Sequence, residues 1–182
     1  MRGLKKLLGF ASLLLIISSC CKEDNLVADK NQGSLQLKTS PVKPFQGTIV
    51  YLPSNQDLPC DCGNFQPVGT FSGSGNLSHL GLVSSKIKPC TAPIFDNNFN
   101  VVGLHVGMEC GSFIAANGDE LYVLPYPYDL LFGPTGAVGN VSIDIVGGTG
   151  RFSNASGNFT GTITIDGNNI ATFSNINGTI SY

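Results

Sequence analysis

Four cysteines, two histidines and a pair of adjacent acids are the residues here whose types could do chemistry. The cysteines are Cys60, Cys62, Cys90 and Cys110. In an exported protein an even set of four points to two disulfides. A bridge within Cys60-Asp61-Cys62 would be strained. Two pairings therefore stay open, 60–90 with 62–110 or 60–110 with 62–90. A zinc site built from these thiolates and His105 is the alternative. One C-x-C pair and two distant single cysteines fit structural zinc spacing poorly, so no metal and no cofactor is expected. His79 and His105 are the only imidazoles, and neither stands beside a motif for a nucleophile. Asp119-Glu120 follows an Asn117-Gly118 turn. Paired acids serve acid–base work when burial lifts one of them, but acids after a hairpin turn are usually solvated. Asp144 interrupts the apolar run Ser142-Ile143-Asp144-Ile145 and is expected to face outward. No residue is assigned a catalytic role.

Leu121 to Phe132 reads LYVLPYPYDLLF. Its prolines argue against a central strand past Leu124. An apolar, aromatic loop at a barrel mouth could line a pocket or dock a partner. Tyr122, Tyr126, Tyr128 and Phe132 are thus the candidates for binding a ligand or partner.

The elements that must position these residues are strands. From Phe45 onward apolar and polar residues alternate with period two, the mark of a half-buried strand. Phe45, Gly47, Ile49 and Tyr51 share one face; Phe159, Gly161, Ile163 and Ile165 share another; Ile176, Gly178, Ile180 and Tyr182 form the last row. Large and small residues alternating on one face suit the interior of a small barrel. Further strands are predicted over 76–88, 101–106, 111–116, 120–124 and 138–146. Asn117-Gly118 and Asp166-Gly167 are hairpin signals. Phe173 is out of phase with Ile176, which predicts a bulge near Ser174–Asn175. No stretch of the domain carries a helical period. The expectation is an all-β domain over 45–182, one closed antiparallel barrel of about eight strands.

Val146 to Phe159 reads VGGTGRFSNASGNF. Gly147, Gly148 and Gly150 invite a phosphate-loop reading. The segment lacks the following lysine and a helix to open, so it reads as a structural corner between two strands. Phe152 is placed to plug the barrel end, with Arg151 answering carbonyls or an acid.

The turn Gly147 to Phe152, followed by Ala155-Ser156-Gly157, resembles one in allene oxide cyclases and dirigent proteins. It is closer still to the turn in bacterial secreted barrels of an allene-oxide-cyclase-like family. Gly75-Asn76-Leu77-Ser78-His79-Leu80-Gly81, Ala115 to Leu121 and Gly178 to Tyr182 add to the resemblance. It implies a calycin-like barrel and carries over no catalytic residue, because the families' pocket residues find no matching motif here.

The N-terminus reads as an address. Arg2, Lys5 and Lys6 precede a short apolar run, Leu7 to Ile17, which suits a secretion signal and is too short to span a bilayer. Ile17-Ser18-Ser19-Cys20 resembles a bacterial lipobox. This implies a signal over 1–19, a lipidated Cys20, and an anchor in the outer membrane that serves as the membrane partner. Cys21-Lys22-Glu23-Asp24 resembles the surface-export signal of Bacteroidetes lipoproteins, with a plain polar linker as the alternative. Residues 20–44 form the anchor and tether, spanning roughly 25 Å. Beyond residue 44, three bases face nine acids, a net of −6, so nucleic acid is excluded as a partner. Three functions remain open: a barrel binding a small apolar or aromatic molecule or a glycan, an interaction module with a filled barrel, and a cyclase-like or dirigent-like enzyme. Nothing in the sequence fixes an oligomeric state.

Overall fold

The alternating segments form strands in the computed structural model, which describes residues 40–182. The signal, Cys20 and the tether as far as residue 39 lie outside the described residues. Ten strands follow in order: β1 (Lys43–Ser54), β2 (Gln66–Pro67), β3 (Thr70–Leu77), β4 (Gly81–Phe95), β5 (Val101–Ala115), β6 (Glu120–Pro125), β7 (Tyr128–Gly133), β8 (Gly136–Gly148), β9 (Ser156–Asp166) and β10 (Ala171–Ser181). One 3-10 turn, Gly150–Phe152, joins β8 to β9.

All pairings are antiparallel, and they close on themselves. The circuit runs β4, β3, β1, β10, β9, β8, then β6 and β7, then β5, and back to β4. β6 and β7 follow one another along a single stave, each pairing with both β5 and β8. The barrel therefore has eight staves, and β2 adds a short outer pairing to β4. Closure leaves no long unpaired edge on the barrel.

The interior face follows the expected parity. Phe45, Ile49 and Tyr51 of β1 are buried, as are Phe159 of β9 and Ile176 and Ile180 of β10. The small partners also sit where the large residues need room. A side chain on Gly73 would strike the ring of Tyr51, and one on Gly161 would strike Phe173. The predicted bulge is present: the β9–β10 register shifts between Ser174 and Asn177. Both hairpin signals connect paired strands, with Gly118 at φ +87.

Three expectations are corrected. The predicted strand over 76–88 is broken, because the chain turns at Ser78–Leu80 between β3 and β4. His79 takes a φ of 69 in that turn. The predicted strands over 101–106 and 111–116 are one strand, β5, which carries a bulge at Gly107. There Cys90 pairs with Met108 while Thr91 pairs with Val106. Finally, Leu121 to Phe132 is wall and not a loop over the mouth. Its prolines are tolerated because Pro125 ends β6 and Pro127 falls in the gap before β7. The backbone N–H of Tyr126, between them, donates to the Ser142 carbonyl at 2.9 Å and keeps the stave in register.

The two ends of the barrel differ. At one end Phe152, fully buried, meets Tyr182 edge-on at 5.1 Å, and Leu77, Leu80, Leu121 and Ala155 fill the space around it. At the other end the strands open onto a recess.

Candidate functional site

The open end holds a recess of about 600 Å³. Its lining is largely apolar and comes from the inner faces of the strand ends, with Phe71, Leu104, Leu130, Phe132, Ala137 and Ile165 the main contributors. One pleat deeper lies a second, small cavity of about 30 Å³. The depth follows from strand geometry, since Pro53, Pro89 and Ile165 line the recess while Tyr51, Ile87 and Ile163, two residues away on the same faces, line the cavity. The small cavity has room for about one or two waters.

The floor is polar. Tyr128 donates its hydroxyl to Glu109 Oε2 at 3.2 Å. Tyr51 donates to Ser85 Oγ at 3.3 Å, and Ser85 Oγ in turn donates to the Ser112 carbonyl at 2.8 Å. Burial pushes the Glu109 carboxyl up from the usual carboxylate range to about 7, and the Tyr128 hydrogen bond opposes that only in part. Burial likewise drives both tyrosine hydroxyls well up, so they are neutral throughout the physiological range. A carboxyl that titrates near neutrality inside a cavity can hold or release a proton, and can take a positive charge as partner.

The bulge at Gly107 puts Glu109 in this position. Val106 faces inward, and strict alternation from it would turn Glu109 out. The extra residue resets the phase, so Glu109, Gly111, Phe113 and Ala115 all face the interior. The outside of the bulge is covered. Phe65, from the excursion between β1 and β3, packs its ring on Gly107 and lies 6.0 Å from the His105 ring. Two disulfides hold that excursion: Cys60–Cys110, with Cα atoms 5.9 Å apart, and Cys62–Cys90, at 5.4 Å. This is the second of the two pairings left open by the sequence. Cys90 and Cys110 flank the Pro89–Glu109 cross-strand pair, so the staple grips the outer side of the wall that carries the acid. The sulfurs of Cys60, Cys62 and Cys90 also approach closely enough for a metal, but both bonds already engage them.

The sequence candidates divide. Tyr128, 8% exposed, hydrogen-bonds Glu109 of the floor, and Phe132, 49% exposed, lines the recess. Tyr122 and Tyr126 sit on the outer wall. Tyr126 donates to Asp144 Oδ2 at 2.7 Å, which places Asp144 outside as expected. His105 Nδ1 lies 2.7 Å from Asp129 Oδ1 on the outer surface. His79 Nε2 donates to the Pro44 carbonyl at 2.9 Å, beside the closed end. Asp119 accepts from Asn117 Nδ2 at 2.8 Å and lies 3.6 Å from Arg151 Nε. Glu120 donates its backbone N–H to Thr149 Oγ1 at 2.8 Å. Gly150, at φ +52, passes against the Asp119 side chain where a Cβ would collide. Gly147 to Phe152 is thus a corner that closes one barrel end.

Glu109 was missed by reading the sequence. It lies between the two predicted pieces of β5, in Gly107-Met108-Glu109-Cys110, where the period breaks. The available signal was that break itself, a charged residue between two glycines within one long strand. No protein-family model, curated protein or solved structure matches the chain.

Proposed function

We propose that this protein is a binding barrel that takes a small, largely apolar molecule through its open end, on an exported chain anchored by lipid at Cys20. The observation that carries the reading is the recess of about 600 Å³, lined largely by apolar side chains, with a few buried polar groups one pleat deeper. Sites of this kind bind by burying apolar surface and use a few polar groups to set orientation. The apolar sides favour a hydrocarbon or aromatic body over a glycan. The two disulfides suit an oxidising, exported compartment. The first described residues lie at the closed end, where Ser181 Oγ donates to the Ser40 carbonyl at 3.0 Å. The allene-oxide-cyclase-like resemblance goes with this reading.

The enzyme reading keeps one observation in its favour, the Glu109 carboxyl hydrogen-bonded to Tyr128 at the cavity floor. The interaction-module reading has the outward row of Tyr122, Leu124, Tyr126 and Val146, all exposed. Native mass spectrometry of protein purified from its host separates these. A binding barrel carries an adduct of a few hundred daltons that is released on denaturation. Protein without an adduct, together with no uptake of an added apolar dye, contradicts the reading.

A further inference from the structure

With Glu109 ionised, the polar groups at the floor of the recess present only acceptors. The hydroxyl hydrogen of Tyr128 is committed to Glu109, that of Tyr51 to Ser85, and that of Ser85 to the Ser112 carbonyl. What remains facing the small cavity is lone pairs. Glu109 adds the strongest of them, because Oε2 receives Tyr128 while no described residue donates to Oε1. No base lines either cavity. Among the described residues the cationic side chains are engaged elsewhere or face outward: Lys88 with Asp57, Arg151 with Asp119, Lys43 over the Tyr182 ring, and Lys86 on the outer face of β4.

From these three features we propose that the ligand is an apolar molecule bearing a primary amine, whose ammonium group enters the floor and binds the Glu109 carboxylate. This rests on the binding-barrel reading and names its ligand class. An ammonium supplies three donors and no acceptor, the complement of this floor. It is close to water in size and fits a space of about 30 Å³, whereas a carboxylate, a phosphate or a quaternary ammonium does not. A charge-assisted bond to a carboxylate is roughly twice as strong as a neutral one. The apolar body of the ligand then lies against Leu104, Leu130 and Phe132.

The pH dependence follows. The groups facing Glu109 that titrate are Tyr128 of β7 and Tyr51 of β1, both neutral across the range. β4 faces it with Ser85, Ile87 and Pro89, β6 with Val123 and Pro125, and β8 with Val141 and Ile143, none of which titrates. Ammonium binding therefore tracks the ionised fraction of Glu109, whose carboxyl titrates near 7. Affinity should rise about tenfold from pH 6 to pH 8.

Calorimetric titration of the full-length protein with phenethylamine, phenethyl alcohol and phenylpropionate tests this. At about pH 8 the amine should bind about tenfold more tightly than the alcohol, and the acid weakest. Glu109→Gln should remove the amine's advantage and its pH slope while leaving the alcohol's affinity within about threefold. Equal affinity for amine and alcohol, or an amine affinity untouched by Glu109→Gln, overturns the proposal and leaves the binding barrel standing. Should the variant not fold, a flat pH profile for the amine on the native protein overturns it equally. If none of the three compounds binds while a neutral apolar dye does, the proposal is overturned and the binding barrel stands; if the dye is not taken up either, the binding barrel falls with it.

Discussion

The Glu109 carboxyl sits where ionisation is costly, and that cost has a sign. Its folded value, about 7, lies above its ordinary one of 4.5, so the folded protein holds this proton more tightly than the unfolded chain. The stability it lends is whole below about pH 4.5 and is lost as pH rises, the loss being complete above about pH 7. Each pKa unit corresponds to about 1.4 kcal/mol, and water reaching the cavity reduces the sum, so the loss is about 1–3 kcal/mol. Glu109→Gln cannot ionise. Denaturant unfolding at a series of pH values should show the variant gaining on the native protein by that amount between pH 4.5 and 7. A constant difference across the series would mean that Glu109 is solvated. No period in the sequence announces this residue. A strand's alternation identifies inward positions only while the phase holds, and one unpaired residue at Gly107 inverts it. His105 and Asp119 looked more chemical by type, yet both face outward, His105 because it precedes the bulge and Asp119 because it sits in the β5–β6 turn.

At the level of elements, the wall around Glu109 is held from outside. Cys60–Cys110 and Cys62–Cys90 pin the excursion, with Phe65 and β2, onto β4 and β5 where the bulge weakens their ladder. Peptide mapping without reduction should return these two bonds and no others among the four cysteines. Replacing Cys62 and Cys90 together by serine should cost about 2–4 kcal/mol in unfolding experiments, the usual worth of closing a loop of this length. An unchanged stability would show that the excursion is not held by that bond. Strands were the legible part of this scale. Alternation located the rows of β1, β9 and β10, the Asn117-Gly118 and Asp166-Gly167 turns, and the bulge near Ser174, because each depends on neighbours in the chain. The pairing of cysteines and the fate of Leu121 to Phe132 depend on partners far away. Pro125 and Pro127 read locally as breakers, yet they interrupt one stave without removing it, since β5 and β8 flank both halves.

At the scale of the molecule, the barrel is filled at one end and hollow at the other. Phe152, Phe45 and Phe159 pack the closed half, with the last two rings 4.9 Å apart. The opposite half holds the recess and, one pleat deeper, a small cavity with room for one small polar group. The closed end was legible, because Phe152 follows a glycine-rich corner that has to cap something. The hollow end was not, because an absence of side chains leaves no pattern in a sequence. Its rim mixes apolar residues with Asp166 and Asn169, and the β4–β5 hairpin carries Phe99, 86% exposed, at its tip. The most direct test is a fluorescence titration with N-phenylnaphthylamine, a neutral apolar dye. Ala137 points into the recess, and Ala137→Trp should fill it. The hollow barrel predicts saturable, one-to-one, blue-shifted emission with the native protein and at least a tenfold loss of affinity in the variant. Emission that never saturates, or an affinity that Ala137→Trp leaves unchanged, would contradict it.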